Sequence, residues 1–575
     1  MALKPDRMSV SKSCRLSVRT TGTGVLALVA LCAPAIVARA DVASSSGATV
    51  VGAAASAPHS VPPTVIDLAV PTVAPKDRRA MTEQLGEASL GSASLVAHLR
   101  KRLDRQFSLV GVTWESGTAT KGTTVSVRSR SLGAWSDWTA LDIDPEEGPA
   151  ASEETATRDG TAPAWVGQAT GVEVAVFAPD GSPPAGLTVD AIDPGMSSYD
   201  AMATATTSSR AVSRSRARAG AFPSLPDVVT RDEWGADPSL VDQCDGPRIG
   251  TTFKMVFVHH TAGSNNYSRV ESASVVRGVY AYHTQSRGWC DIGYNFLVDR
   301  YGKIYEGRRG GMRLPVRGAH SGDYNVDTTG ISLMGDFTSV NPTRKMKLSL
   351  VDLIVWRMGA AYHGGYGRTS VNGSTFSRVS GHRDAMSTSC PGQRVYDRLP
   401  GLRSRVAARL AGFESPIETR WRAMGGASSE LGPVHVGEQV ENHGHHTTFQ
   451  KGRMYTQRGG LYKLYRGPVL HAYIRHGEND GALGYPRSNQ RTIAHGAGLS
   501  AVFARGRIFW SQATDSTLLH NGPILSRYLD AGSAGGRLGF PVSPARSTKT
   551  GTIARFQHGT ISYDASSHRT KVRYS

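Results

Sequence analysis

The sequence predicts a multidomain chain: a central α/β domain, with a mixed β-sheet flanked by helices, set between an N-terminal β-sandwich-like domain and a C-terminal repeat domain. Three observations carry that prediction. At 575 residues the chain is too long for one hydrophobic core. Its apolar pattern changes from period-two alternation before about residue 195 to interspersed strands and helices after 222. Beyond residue 417, short marker sequences return at a nearly constant interval.

The first element is a leader. Lys4, Arg7, Lys12, Arg15 and Arg19 precede an apolar run from Val25 to Val37, which ends in the small-x-small text Ala38-Arg39-Ala40. Residues 1–40 therefore read as a secretory signal peptide, because the apolar run is too short to span a bilayer comfortably. Bulky Leu31 before Cys32 fits a lipoprotein signal poorly. The expectation is a secreted protein with no transmembrane anchor in its mature form. Removing six basic residues and one acid with the leader takes the formal charge from +18 to +13. Outside the cell, that surplus suits adhesion to anionic cell-wall polymers. No basic patch interleaved with aromatics stands out, which argues against nucleic acid as a partner.

Residues 41–96 are rich in Ala, Ser, Val and Pro and read as a disordered spacer. Over 97–195, alternating runs such as Thr124-Val-Ser-Val-Arg128 and Val172-Glu-Val-Ala-Val-Phe177 predict a β-sandwich accessory domain. Residues 196–221, with the basic text Arg210 to Arg218, form a Ser/Arg-rich linker. The central domain spans 222–412. Lys254 to His260 is a buried strand, Asn295 to Asp299 and Gly330 to Met334 are further strands, and helices are expected over Ser272 to Gln285, Leu348 to Tyr362 and Val395 to Leu410.

From 417 to 570 the chain repeats. Leu431-Gly-Pro433, Leu483-Gly-Tyr-Pro486 and Leu538-Gly-Phe-Pro541 recur at intervals of 52 and 55 residues. Phe449, Phe503 and Phe556, each with glycine three residues on, recur at 54 and 53. This text resembles the LGFP-repeat domain of secreted actinobacterial proteins, and the resemblance implies attachment to the cell envelope.

The chemistry concentrates in three residues. His259 ends an apolar strand and is followed at once by Thr-Ala-Gly, so its imidazole lies at a sheet edge. His382 sits in the loop Ser380-Gly-His-Arg-Asp384, and Cys390 lies eight residues on. Pro391 suits the first turn of a helix, which puts Cys390 near an N-cap, where the helix dipole favours thiolate. Two imidazoles and a thiolate make a three-ligand zinc site with one position open, the form of a catalytic site. The site also accounts for the odd cysteine of a mature chain that keeps only Cys244, Cys290 and Cys390.

Read in order, Val-His-His-Thr-Ala-Gly, Trp289 to Phe296, Gly318-Ala-His320 and Gly-His-Arg-Asp … Cys-Pro-Gly resemble the peptidoglycan recognition protein and phage-lysozyme-type amidase family. Arg231-Asp-Glu-Trp-Gly-Ala236 resembles that family's opening. The resemblance implies a zinc-dependent N-acetylmuramoyl-L-alanine amidase that binds peptidoglycan, with His259, His382 and Cys390 as metal ligands. It implies that Tyr294 orients the attacking water or the attacked carbonyl, and that Thr388 donates to the developing oxyanion. It implies that His320 and Asn325 line the groove for muramyl peptide. His283, on a helical stripe, reads as structural, and His260 points away from His259 along the strand. Cys244 and Cys290 suit a disulfide in a secreted chain, with a second metal site as the alternative. A non-catalytic peptidoglycan-binding or wall-anchoring protein is the rival reading, and a zinc peptidase cutting stem peptides would use the same chemistry.

Overall fold

The computed structural model describes residues 60–575 apart from 87–92, 144–146, 151–153, 155–157, 201–221, 242–243 and 442–443. The leader expected over 1–40 and most of the 196–221 linker lie outside the described residues. Among the described residues, no helix is long and apolar enough to cross a membrane.

The spacer expected over 41–96 overlaps folded structure. Thr64–Ala69 is a strand paired antiparallel with Thr188–Asp193, Arg78–Leu85 is a helix, and a 22-residue strand begins at Ser94. The composition concealed this because the edge strand turns Ile66 and Leu68 to one core and Val65 to another, none of them fully buried, and its pairing partner lies far along the chain. Around it, the strands Thr188–Asp193, Ser94–Glu115, Ala164–Ala178 and Thr124–Ser131 follow in that spatial order, each antiparallel to the next. The two longest strands lose register between Arg102 and Phe107. Such bulges bend a sheet, and residues on both sides of the break, Phe107, Val112, Trp114, Val127 and Val174 among them, share one core.

The central domain holds a six-stranded sheet in the order Val379–Gly381, Met255–His260, Thr328–Leu333, Phe296–Val298, Ile304–Glu306, Val228–Val229. Its first four strands are parallel, and Met255–His260 and Thr328–Leu333 are buried throughout. That burial is why the sequence reads there as an apolar run. Val256 and Val258 face a core with the helices Arg344–Ala360 and Leu399–Leu410, through Leu350, Ile354 and Val406. Met255 and Phe257 face the opposite side with Phe376. Strand alternation puts His259 on the side of Phe257.

The accessory domain is joined to the central one through a buried interface. Leu109, Trp165 and Ile192 share a core with Val276, Tyr280 and Tyr282. Tyr282 donates its hydroxyl to the Thr161 carbonyl at 2.7 Å. Asp200, expected in the linker, is instead buried and paired with the equally buried Arg277 at 2.5 Å.

The C-terminal region is three four-stranded antiparallel sheets, each preceded by an eight-residue helix: Pro416–Ala423, Pro468–Arg475 and Pro523–Asp530. The repeat markers have a mechanical cause. Gly432, Gly484 and Gly539 take φ of 75°, 63° and 68°, the left-handed region open to glycine. Their carbonyls accept from Trp421 Nε1, Tyr473 and Tyr528 on the preceding helices. Leu431, Leu483 and Leu538 are wholly buried. Each later helix packs between consecutive sheets. The first packs against Tyr362 of the central domain instead.

Candidate metal centre and active site

Register brings the first two predicted ligands together. Val258 pairs with Gly381, so His259 and His382 leave the carboxyl ends of adjacent parallel strands side by side. Clefts at that end of parallel strands are where α/β sheets bind ligands. The two rings lie 4.5 Å apart between centroids. Cys390 Sγ is 3.6 Å from His259 Nδ1 and accepts the His260 backbone N–H at 3.4 Å. Ligand atoms of His259, His382 and Cys390 all fall within 4.8 Å of one another, and all three residues are buried.

Cys390 does not sit at a helix N-cap. The following helix is the single turn Gln393–Tyr396, capped by Gly392. A donated N–H from His260, rather than a helix dipole, is what the structure offers to stabilise negative charge on the sulfur.

Burial holds His259 neutral, with the neighbouring His382 and His320 adding to the downward shift of its pKa. A neutral imidazole is the form that ligates a metal. Its other nitrogen, Nε2, lies 3.1 Å from His320 Nδ1, which is also 3.0 Å from Ser321 Oγ. Two imidazoles and a thiol, converging from a strand end and two turns, form a donor set that zinc fits, and a partner on the far nitrogen is the usual way such a histidine is oriented.

Tyr294 lies beside this cluster, its ring 5.5 Å from that of His259. Its hydroxyl donates to the carboxylate of Glu147, which comes from the accessory domain. Burial first, and that carboxylate second, push the phenol pKa well above its usual value, so the proton stays on oxygen at neutral pH. The segment carrying Tyr294 is braced by the Cys244–Cys290 disulfide and by Asp291, which pairs with Arg231 at 3.0 Å.

The remaining predicted residues take other places. His320 and Asn325 are wholly buried. His320 contacts His259, while Asn325 Oδ1 accepts the backbone N–H of His320 and of Ser321. Asn325 Nδ2 is given to the Gly148 carbonyl. Both shape the loop behind the cluster. Thr388 Oγ1 accepts the Cys390 N–H at 3.1 Å, a contact that shapes the cysteine loop. His283 stacks on Trp289 at 4.4 Å and accepts from Gly293 N, a packing role, and His260 turns to Phe337 and Asp336.

Sequence reasoning missed Glu147, and missed Glu154, whose carboxylate meets Arg308 and the Cys290 N–H at 2.8 Å each. Both belong to an acidic stretch of the accessory domain with no pattern of its own.

Known families match three parts of the chain. Residues 63–217 match the Rv3811 N-terminal galactose-binding domain-like family, 249–393 match N-acetylmuramoyl-L-alanine amidase, and 483–536 match the LGFP repeat. Over 178 residues the chain is 33% identical to peptidoglycan recognition protein 1 of Mus musculus, covering 31% of this chain and 88% of that protein. The chain belongs to the peptidoglycan recognition protein family. It is 36% identical to peptidoglycan recognition protein 1 of Bos taurus over 31% of this chain and 84% of that one. Among solved structures, wild-type Drosophila PGRP-LB is 26% identical over 33% of this chain and 96% of its own, with a TM-score of 0.26. This peptidoglycan recognition protein thus carries its family domain between a galactose-binding-like domain and LGFP repeats.

Proposed function

We propose that this protein is a zinc-dependent N-acetylmuramoyl-L-alanine amidase that works outside the cell, held at the wall by its C-terminal repeats. The observation that carries the reading is the convergence of His259, His382 and Cys390 beside the protonated phenol of Tyr294. His259 would offer Nδ1 to the metal, with His382 and Cys390 completing the donor set. Zinc bound there supplies Lewis-acid polarisation and stabilises negative charge on oxygen. His320 fixes the ring of His259, the His260 N–H favours the anionic sulfur, and Tyr294 offers a positioned hydroxyl to the oxygen of the attacked carbonyl. The amidase family match over the same residues supports the choice of the muramyl amide. The basic balance of the chain and its LGFP match support the wall as its place of work.

Mass analysis of peptidoglycan digested by the full chain tests the reading. Free stem peptides beginning at L-alanine, with glycan strands left intact, are expected. Cut cross-links without free stem peptides would make it a peptidase, and binding without any product would make it a recognition protein only.

A further inference from the structure

An enzyme for a polymer needs an open site, and this one is shut. His259 and His382 are 0% exposed, Tyr294 3% and Cys390 5%. The chain's own accessory domain contacts the segments beside the cluster that carry Tyr294, Asn325 and Ser389. Glu147 takes the hydroxyl of Tyr294. The Gly148 carbonyl accepts from Asn325 Nδ2 at 2.9 Å and from the Gly322 N–H at 3.1 Å, and Pro149 bridges Gly322 in parallel. Gly148 also lies on the indole of Trp289. Asp142 accepts from Ser389, the residue before the candidate thiolate, at 2.7 Å, and Glu154 fills the Arg308 and Cys290 site.

We propose that Glu147–Ala150, anchored on its far side by Glu154, is an autoinhibitory strap lying where the muramyl peptide must bind. The inference rests on the amidase reading for the identity of the excluded ligand, but the occlusion itself does not. The strap is built to leave. It is tied down by two carboxylates and the Gly148 carbonyl, and polar contacts exchange with water at small net cost. The accessory domain's lasting attachment is elsewhere, in the apolar contact of Leu109, Trp165 and Ile192 with Tyr280 and Tyr282. The strap can therefore lift while the domain stays docked. Substrate affinity is then reduced by the fraction of molecules that are open, so a strap closed nine times in ten costs about tenfold.

Two variants open it by different means. Glu147→Ala with Glu154→Ala removes the charged contacts. Gly148→Val leaves them, but its backbone has φ +146° and a Cβ there comes within 3.0 Å of Trp289, so the strap cannot seat. The test is the rate at which iodoacetamide labels Cys390 in the metal-stripped full chain, mapped by mass spectrometry, with affinity for a muramyl tripeptide measured by calorimetry. Both variants are expected to label Cys390 at least tenfold faster than wild type and to bind the tripeptide about tenfold more tightly. Equal labelling rates in all three proteins overturn the strap. So does a Glu147→Ala chain that loses kcat while labelling at the wild-type rate, since Glu147 would then serve the chemistry. Faster labelling in both variants with no cleavage by any of the proteins upholds the strap and sinks the amidase reading instead.

Discussion

Two buried tyrosines of the central domain each meet a glutamate from a flanking domain. Tyr294 gives its hydroxyl to Glu147 of the accessory domain, and Tyr362 gives its hydroxyl to Glu438 of the first repeat at 2.8 Å. Burial and then the carboxylate raise both phenol pKa values. Their surroundings differ. Glu438 is wholly buried and also engaged by Ser415 and by His445 at 2.7 Å, while Tyr362 has Thr447 as a second partner. That network is closed and lies at the end of the helix Arg344–Ala360, away from His259. The Tyr294 pair stands at the edge of the candidate metal centre. The same two side chains make a clasp where neighbours complete them, and a latch where the next neighbour is reactive.

The comparison yields measurements that can break it. Tyr294→Phe should lower turnover on a soluble muramyl peptide about 10²–10³-fold, the usual effect of losing one oriented donor to a transition state. Zinc content should stay unchanged. Wild-type turnover in that variant would make both tyrosines mere clasps.

Ending the chain near 415 should instead destabilise the central domain, because it strips Tyr362 of Glu438, Ile417 and Trp421. A chain ending after His520 keeps the clasp. It should turn over soluble peptide as wild type does and sediment less with walls, since tethering raises local concentration without touching the site. Full stability of the shorter chain would show that the first repeat is only an appendage.

Acid should loosen the C-terminal side of the central domain through His363, whose Nε2 lies 2.8 Å from the Phe253 carbonyl. Burial chiefly lowers its pKa from 6.5 to about 4. The unfolded chain binds that proton more readily, so the stability is fully present above pH 6.5 and is lost as pH falls towards 4. The loss is about 3 kcal/mol. Thermal melts of wild type and His363→Gln at pH 7 and pH 4.5 check it, and the variant should flatten the difference. Smallest of all, Tyr362→Phe should cost about 1–3 kcal/mol of stability by leaving the buried Glu438 short of a donor, with turnover on soluble peptide intact.

What could be read from the sequence followed from backbone constraint. The repeats were legible because each turn needs a left-handed glycine, a buried leucine before it and an aromatic to reach its carbonyl, so the same letters return. The candidate cluster was legible from residue type and motif, two histidines and one odd cysteine within Val-His-His-Thr-Ala-Gly and Gly-His-Arg-Asp … Cys-Pro-Gly, whereas the parallel register that sets His259 beside His382 shows only in the fold. The edge strand Thr64–Ala69 was not legible, since one weakly alternating run means little without its partner. The support for Cys390 was misread: Pro391 suggested a helix start, whereas the sulfur takes its hydrogen bond from the next strand. Glu147 and Glu154 were invisible because their meaning lies in Tyr294 and Arg308, which only the docking of two domains brings near.

The proposed function requires zinc bound by His259, His382 and Cys390. The deciding measurement is metal content together with stem-peptide release for the full chain and for Cys390→Ser. Wild type should hold one zinc per chain, lose cleavage on chelation and regain it when zinc returns, while folded Cys390→Ser holds little zinc and releases no stem peptide. Stem-peptide release by rigorously zinc-free wild type, or by Cys390→Ser at the wild-type rate, would contradict it.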